Sequence, residues 1–121
     1  MKDIENRRDI ELMVDTFYGV IQKDDILGPI FNGTIKDNWP RHLDTMYRFW
    51  QTMLLQKYIY NGSPFAPHRK LPIEAHHFER WLHHFNKAID TNFSGKITDE
   101  AKMRAEKMAK MFMYKLKSNS L

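Results

Sequence analysis

Cysteine is absent from all 121 residues, which excludes disulfides, thiolate-bound zinc and thiol nucleophiles. Long apolar runs are missing too. Nothing approaches the ~20 consecutive apolar residues of a membrane-spanning helix. The charged opening MKDIENRRDIEL has no apolar stretch behind it, so it does not read as a secretion signal. These absences lead us to expect a soluble, cytoplasmic protein without a membrane partner. The chain also has no P-loop, no Rossmann glycine pattern, no HExxH and no nucleophile elbow. Any chemistry is therefore expected to come from a bound cofactor. The length suits one domain, residues 1–121, with a single core.

Charge of either sign is only mildly unbalanced, at +4. The excess gathers near the C-terminus at Lys102, Arg104, Lys107, Lys110, Lys115 and Lys117. Those positions scatter around a helix instead of forming one stripe with interleaved aromatics, so no nucleic-acid partner is expected. A weak attraction to an acidic redox partner is the most this excess implies. Mean hydropathy is low, −0.62, because surface lysines and clustered histidines lower it without touching the apolar stripes.

What is present is helical periodicity. Over residues 9–22, Ile10, Met13, Val14, Phe17 and Ile21 recur at spacings of three and four. A short segment at 26–31 comes after the Asp24-Asp25 break, then a loop at Asn32-Gly33. Asp37 is the expected N-cap of the next helix, with Pro40 in its first turn. That helix runs to about Lys57 through Leu43, Met46, Tyr47, Trp50, Met53 and Leu54. A long helix over 73–92 buries Phe78, Trp81, Leu82, Phe85 and Ile89. The last starts at Thr98 and carries Ala101, Ala105, Met108, Phe112 and Leu116. The class is all-α.

Between the second and third long helices lies an irregular connector, residues 58–72, with Pro64, Pro67 and Pro72 around His68. Prolines stiffen it and limit helix there to a turn or two. Connectors of this length usually carry function. An imidazole on a rigid segment just before an aromatic helix is suited to binding a metal in an apolar pocket, and such a pocket suits haem.

The other histidines read differently. His76 and His83, like His77 and His84, are seven residues apart, about 10 Å along a helix. That is too far for one ion with ligand distances of about 2 Å. His76 and His83 share a face with Arg80 and Lys87 and read as solvent-facing; His77 and His84 flank Trp81 at the edge of the buried stripe. His42 heads the Met46–Trp50–Met53 face, either contacting a ligand held there or lying partly in water at a helix start. Tyr18, at the margin of the first stripe, either packs with its hydroxyl on a carbonyl or points that hydroxyl into a pocket.

In order, these residues resemble a known family. The markers are FY at 17–18, LGPIF at 27–31, W-x-x-H-L at 39–43 and FW at 49–50. They continue with Y-x-G-x-P-x-x-x-H at 60–68, LP at 71–72, H-F-x-R-W-L at 77–82 and RA at 104–105. Together they resemble the truncated haemoglobins, shortened globins, over residues 10–112. Lacking any Gly-Gly pair, the chain is most similar to the third of that family's three groups.

The resemblance implies a two-over-two helical sandwich around haem b, with His68 as proximal iron ligand. It makes Tyr18 the distal hydrogen-bond donor, His42 a distal gate, and Trp81 an indole beside the haem. Phe31, Met46 and Trp50 become pocket walls, while Arg80, His77 and Arg69 are candidate partners for the haem carboxylates. Reversible binding of O2, NO and CO is the implied activity. NO dioxygenation or peroxide chemistry would need a separate reductase, for which the lysine-rich last helix is the candidate docking surface. The competing reading is a haem-free helical interaction module. The connector discriminates the two, because a plain bundle gains little from it.

Overall fold

The computed structural model describes residues 1–55 and 74–119, with side chains through Tyr114. The connector at 58–72, the helix ends expected at Lys57 and Ile73, and the Leu116 side chain lie outside the described residues. Among the described residues all regular structure is helical.

Helix α1, Arg7–Lys23, begins where Asn6 Oδ1 accepts the Asp9 N–H at 3.0 Å, satisfying a donor the helix itself leaves open. It ends at Asp24, whose backbone turns extended. Asp24 then anchors the start of the next helix, its Oδ2 accepting the N–H groups of Ile26 at 3.0 Å and Leu27 at 2.8 Å. Helix α2, Leu27–Ile35, is longer than the expected 26–31 segment. Asn32 and Gly33 lie inside it, because Asn32 has tertiary partners that outweigh its loop preference. The chain reverses at Lys36, with φ of 53°, and passes through a 3₁₀ turn, Lys36–Asn38. Asp37 lies within that turn and does not cap the next helix, whose first residue is Trp39. Helix α3, Trp39–Leu55, does hold Pro40 in its first turn.

Helix α4, Ala75–Asn92, opens on Glu74, whose N–H donates to His77 Nδ1 at 2.8 Å. Helix α5, Lys96–Asn119, starts two residues before Thr98. The cap is long-range: Asp3 accepts the N–H groups of Ile97 (2.8 Å) and Thr98 (2.9 Å) and the Thr98 hydroxyl (2.8 Å). Gly95, with φ of 144°, makes room for that carboxylate; a Cβ there would sit 2.6 Å from Asp3 Cγ.

Helix α1 is the hub, packing on α2, α3 and α4, and α4 also runs along α5. The α1–α3 pair and the α4–α5 pair thus form the two-over-two sandwich. Ile10, Met13, Val14, Phe17 and Ile21 of α1 are buried with Phe85, Ala88 and Ile89 of α4, as the periodicity requires. Ala101 and Ala105 on α5 join the same core and let that helix approach closely. Among the described residues no helix is long and apolar enough to cross a membrane.

One cluster locks the α1–α2 corner to α4. Arg80 donates a fork to Asp24, Nε to Oδ2 at 2.8 Å and Nη2 to Oδ1 at 2.7 Å, and His84 Nε2 lies 2.8 Å from Oδ1. The Asp24 side chain is only 5 % exposed, and the Arg80 fork, aided by its main-chain donors, holds its carboxyl well below the usual range. A depressed folded pKa gives stability that is complete above the ordinary carboxylate range and is lost as pH falls through it. Asp24→Ala should therefore lower stability at pH 7, the two main-chain bonds alone being worth about 1–2 kcal/mol. The gap from wild type should narrow below about pH 5 in denaturant melts. A gap independent of pH would contradict this account.

Candidate functional site

Four helices contribute to one internal cavity. It is lined by Val14, Phe17 and Tyr18 of α1, Met46, Phe49 and Trp50 of α3, Trp81 and Phe85 of α4, and Met108 and Phe112 of α5. Its free interior is only about 20 Å³, because the rings close on one another. These residues converge because each helix turns inward an apolar stripe that carries aromatics. Phe85 stacks between two indoles, with ring centroids 5.3 Å from Trp50 and 5.8 Å from Trp81. Phe17 meets Trp81 edge-on at 5.2 Å. The result is a wall of flat rings.

Tyr18 carries the polar chemistry of this wall. It is 3 % exposed, and among the described residues its hydroxyl has no hydrogen-bond partner. Burial pushes the phenol far up from its usual pKa, so at neutral pH it is always an O–H donor. Among the described residues no main-chain carbonyl accepts its proton, and its ring is on the cavity wall.

His42 lies against Tyr18, ring centroids 5.3 Å apart and nearly perpendicular. Trp39, which sequence reasoning did not single out, stands 5.7 Å from both. Phe31 is buried behind Tyr18 at 6.5 Å, backing the phenol and not lining the cavity itself. Met46, Trp50 and Trp81 line the cavity, and Val14, Phe17, Phe49, Phe85, Met108 and Phe112 complete it. Most of these six were legible only as core stripe.

The polar candidates sit apart from that wall. Arg80 is engaged by Asp24 on the outer edge of α4. His77 Nδ1 accepts from Glu74, which leaves its Nε2 as the protonated nitrogen of the neutral ring. Burial lowers the His77 pKa, with neighbouring His76 adding to the effect. His76 and His83 are exposed, as expected. His68 and Arg69 lie outside the described residues. Of the C-terminal cations, Lys102 pairs with Asp90 at 2.8 Å, Arg104 with Glu100 at 2.9 Å and Lys110 with Glu106 at 3.1 Å. Much of that helix's positive charge is therefore answered within the chain.

A flat apolar lining with a single phenolic donor is what a planar, largely apolar cofactor with a ligand position requires. The family relationship agrees. Residues 3–115 match the family model of the bacterial-like globins. The chain belongs to that family, as a truncated haemoglobin of the third group. A curated relative, the group 3 truncated hemoglobin ctb of Campylobacter jejuni, is 33 % identical over 111 residues, covering 88 % of this chain and 87 % of the relative. The crystal structure of a group III truncated hemoglobin from the same organism superposes with a TM-score of 0.85 at 32 % identity. That match covers 96 % of this chain and 95 % of the other. As a globin, the protein is a haem-binding protein for diatomic gases such as O2.

Proposed function

We propose that the cavity holds haem b, with His68 as proximal ligand and Tyr18 on the opposite, distal face. The observation that carries this reading is the Tyr18 phenol, which stands on the wall of the aromatic cavity with the His42 ring edge-on beside it at 5.3 Å. When bound, haem supplies iron with a position for a diatomic ligand and transfers electron density to O2. The chain does the rest. Tyr18 donates a hydrogen bond to a ligand in the cavity, and His42 beside it controls approach. Met46, Trp50, Trp81 and Phe85 would keep water from the cofactor, while Phe31 supports the phenol from behind. His77 through Nε2–H and Arg69 are the candidate donors to the haem carboxylates. Arg80 serves that role only if it shares its guanidinium with Asp24.

A strong distal donor slows O2 release, which suits O2-dependent NO removal or peroxide reduction better than oxygen delivery. CO and NO are expected ligands as well. Sustained turnover of NO and O2 to nitrate would need electrons from a separate reductase. Haemin titration of the purified chain tests the cofactor reading, because Trp50 and Trp81 at the site make fluorescence a direct probe. Quenching that saturates at one haem per chain supports it. A well-folded chain that takes up no haem leaves the helical interaction module.

A further inference from the structure

Beyond the Tyr18–His42 pair, the corner where α2 returns to α3 holds a second polar device. Asn32 sits in the last turns of α2 and is exposed. The reversal at Lys36 and the 3₁₀ turn bring Trp39 back onto it, so the indole Nε1–H donates to Asn32 Oδ1 at 3.0 Å. The other end of the same amide, Nδ2, donates to the Gln22 carbonyl of α1 at 3.2 Å. That second bond fixes which way the amide faces, leaving its oxygen for the indole. Gly28 allows the underlying approach: a Cβ there would lie 2.7 Å from the same Gln22 carbonyl oxygen.

The consequence falls on the distal rings. Trp39, Tyr18 and His42 form a closed triangle of edge-on contacts, with centroids separated by 5.7, 5.7 and 5.3 Å and interplanar angles of 62°, 87° and 87°. Trp39 is one helical turn before His42 on α3, so it stands beside the imidazole on the same face. An edge-on ring at that distance leaves the imidazole little room to rotate toward it. The Asn32 bond opposes the indole's swinging away.

We infer that Trp39 is a positioning residue for the distal pocket and that Asn32 is its latch. The latch keeps His42 across the ligand's approach and Tyr18 in donor geometry. This rests on the reading that Tyr18 and His42 face the ligand. It assigns control of ligand entry to an exposed amide on α2 that never touches the ligand.

The test uses the haem-loaded, CO-bound protein and the variants Asn32→Ala, Asn32→Asp and Trp39→Phe. Asn32 is exposed, so its replacement leaves the core intact, and Asp keeps an oxygen for the indole. Exchange of the Trp39 indole N–H, tracked by NMR, reports the latch. CO association after flash photolysis reports entry. Loss of one neutral hydrogen bond predicts about 2- to 10-fold faster indole exchange in Asn32→Ala. CO association should rise by about the same factor in Asn32→Ala and Trp39→Phe, with CO dissociation nearly unchanged; Asn32→Asp, which keeps the indole acceptor but loses the Gln22 bond, should fall between Asn32→Ala and wild type. Unchanged indole exchange in Asn32→Ala overturns the latch. Faster exchange with unchanged CO association overturns the positioning role and leaves simple packing. Equal changes in association and dissociation, together with a lowered melting temperature, also overturn it, as general loosening. Failure of the wild type to take up haem is seen first by absorbance and removes the functional reading itself.

Discussion

Tyr18→Phe is expected to release O2 roughly 10- to 100-fold faster than wild type while changing CO release far less. The factor comes from one hydrogen bond to a charged acceptor, worth about 1.5–3 kcal/mol. O2 gathers negative charge on a ferrous haem and CO gathers much less, so only O2 feels the loss strongly. The substitution removes one oxygen and keeps the ring contacts with Phe17 at 4.8 Å and with Phe31, Trp39 and His42. Stopped-flow displacement of O2 and of CO from the same preparations gives both rates. Equal responses of the two ligands would mean that the phenol is not a ligand donor.

His68→Ala should have the largest effect on cofactor retention. A neutral imidazole nitrogen is the ligand that globin iron uses on its proximal side. Losing merely a partner of a metal ligand costs about 10- to 100-fold in affinity, and losing the ligand itself should cost more. The apolar wall alone would still attract haem, so weak, spectrally heterogeneous binding is what should remain. The readout is the dithionite-reduced spectrum with and without CO. Wild type should show a CO-shifted Soret band at near-stoichiometric haem, and the variant a greatly weakened one. An intact band in the variant would move the iron ligand to another histidine, with His77 and His84 the next to replace.

The buried face of each long helix was legible because three-and-four spacing states it directly: Phe17 on α1, Trp50 on α3 and Phe85 on α4 all arrive in one core. Helix ends were less legible where the cap comes from elsewhere in the chain. Asp3 caps α5 from more than ninety residues away, and no local pattern around Thr98 announces that. Asn32-Gly33 reads as a loop, yet Asn32 bonds Gln22 and Trp39, and those tertiary partners keep α2 helical through it. The site shows the same division. Tyr18 and His42 could be named from pattern and resemblance, but their contact with each other and with Trp39 depends on how α1 and α3 cross. Arg80 reads as a solvent-facing cation and, by resemblance, a candidate partner for the haem carboxylates; its engagement by Asp24, 56 residues away, is invisible in sequence. Trp39 carried a signal after all, one turn before His42 in the W-x-x-H-L marker.

The central claim is that the aromatic cavity seats haem between His68 and Tyr18. A crystal structure of the haem-loaded, CO-bound protein tests it most directly. The account predicts iron bonded to His68 on one face and the Tyr18 hydroxyl facing the ligand on the other, with Trp50, Trp81 and Phe85 against or beside the macrocycle. Haem bound outside the cavity through His77 or His84, or a Tyr18 hydroxyl bonded to a protein acceptor, would contradict it.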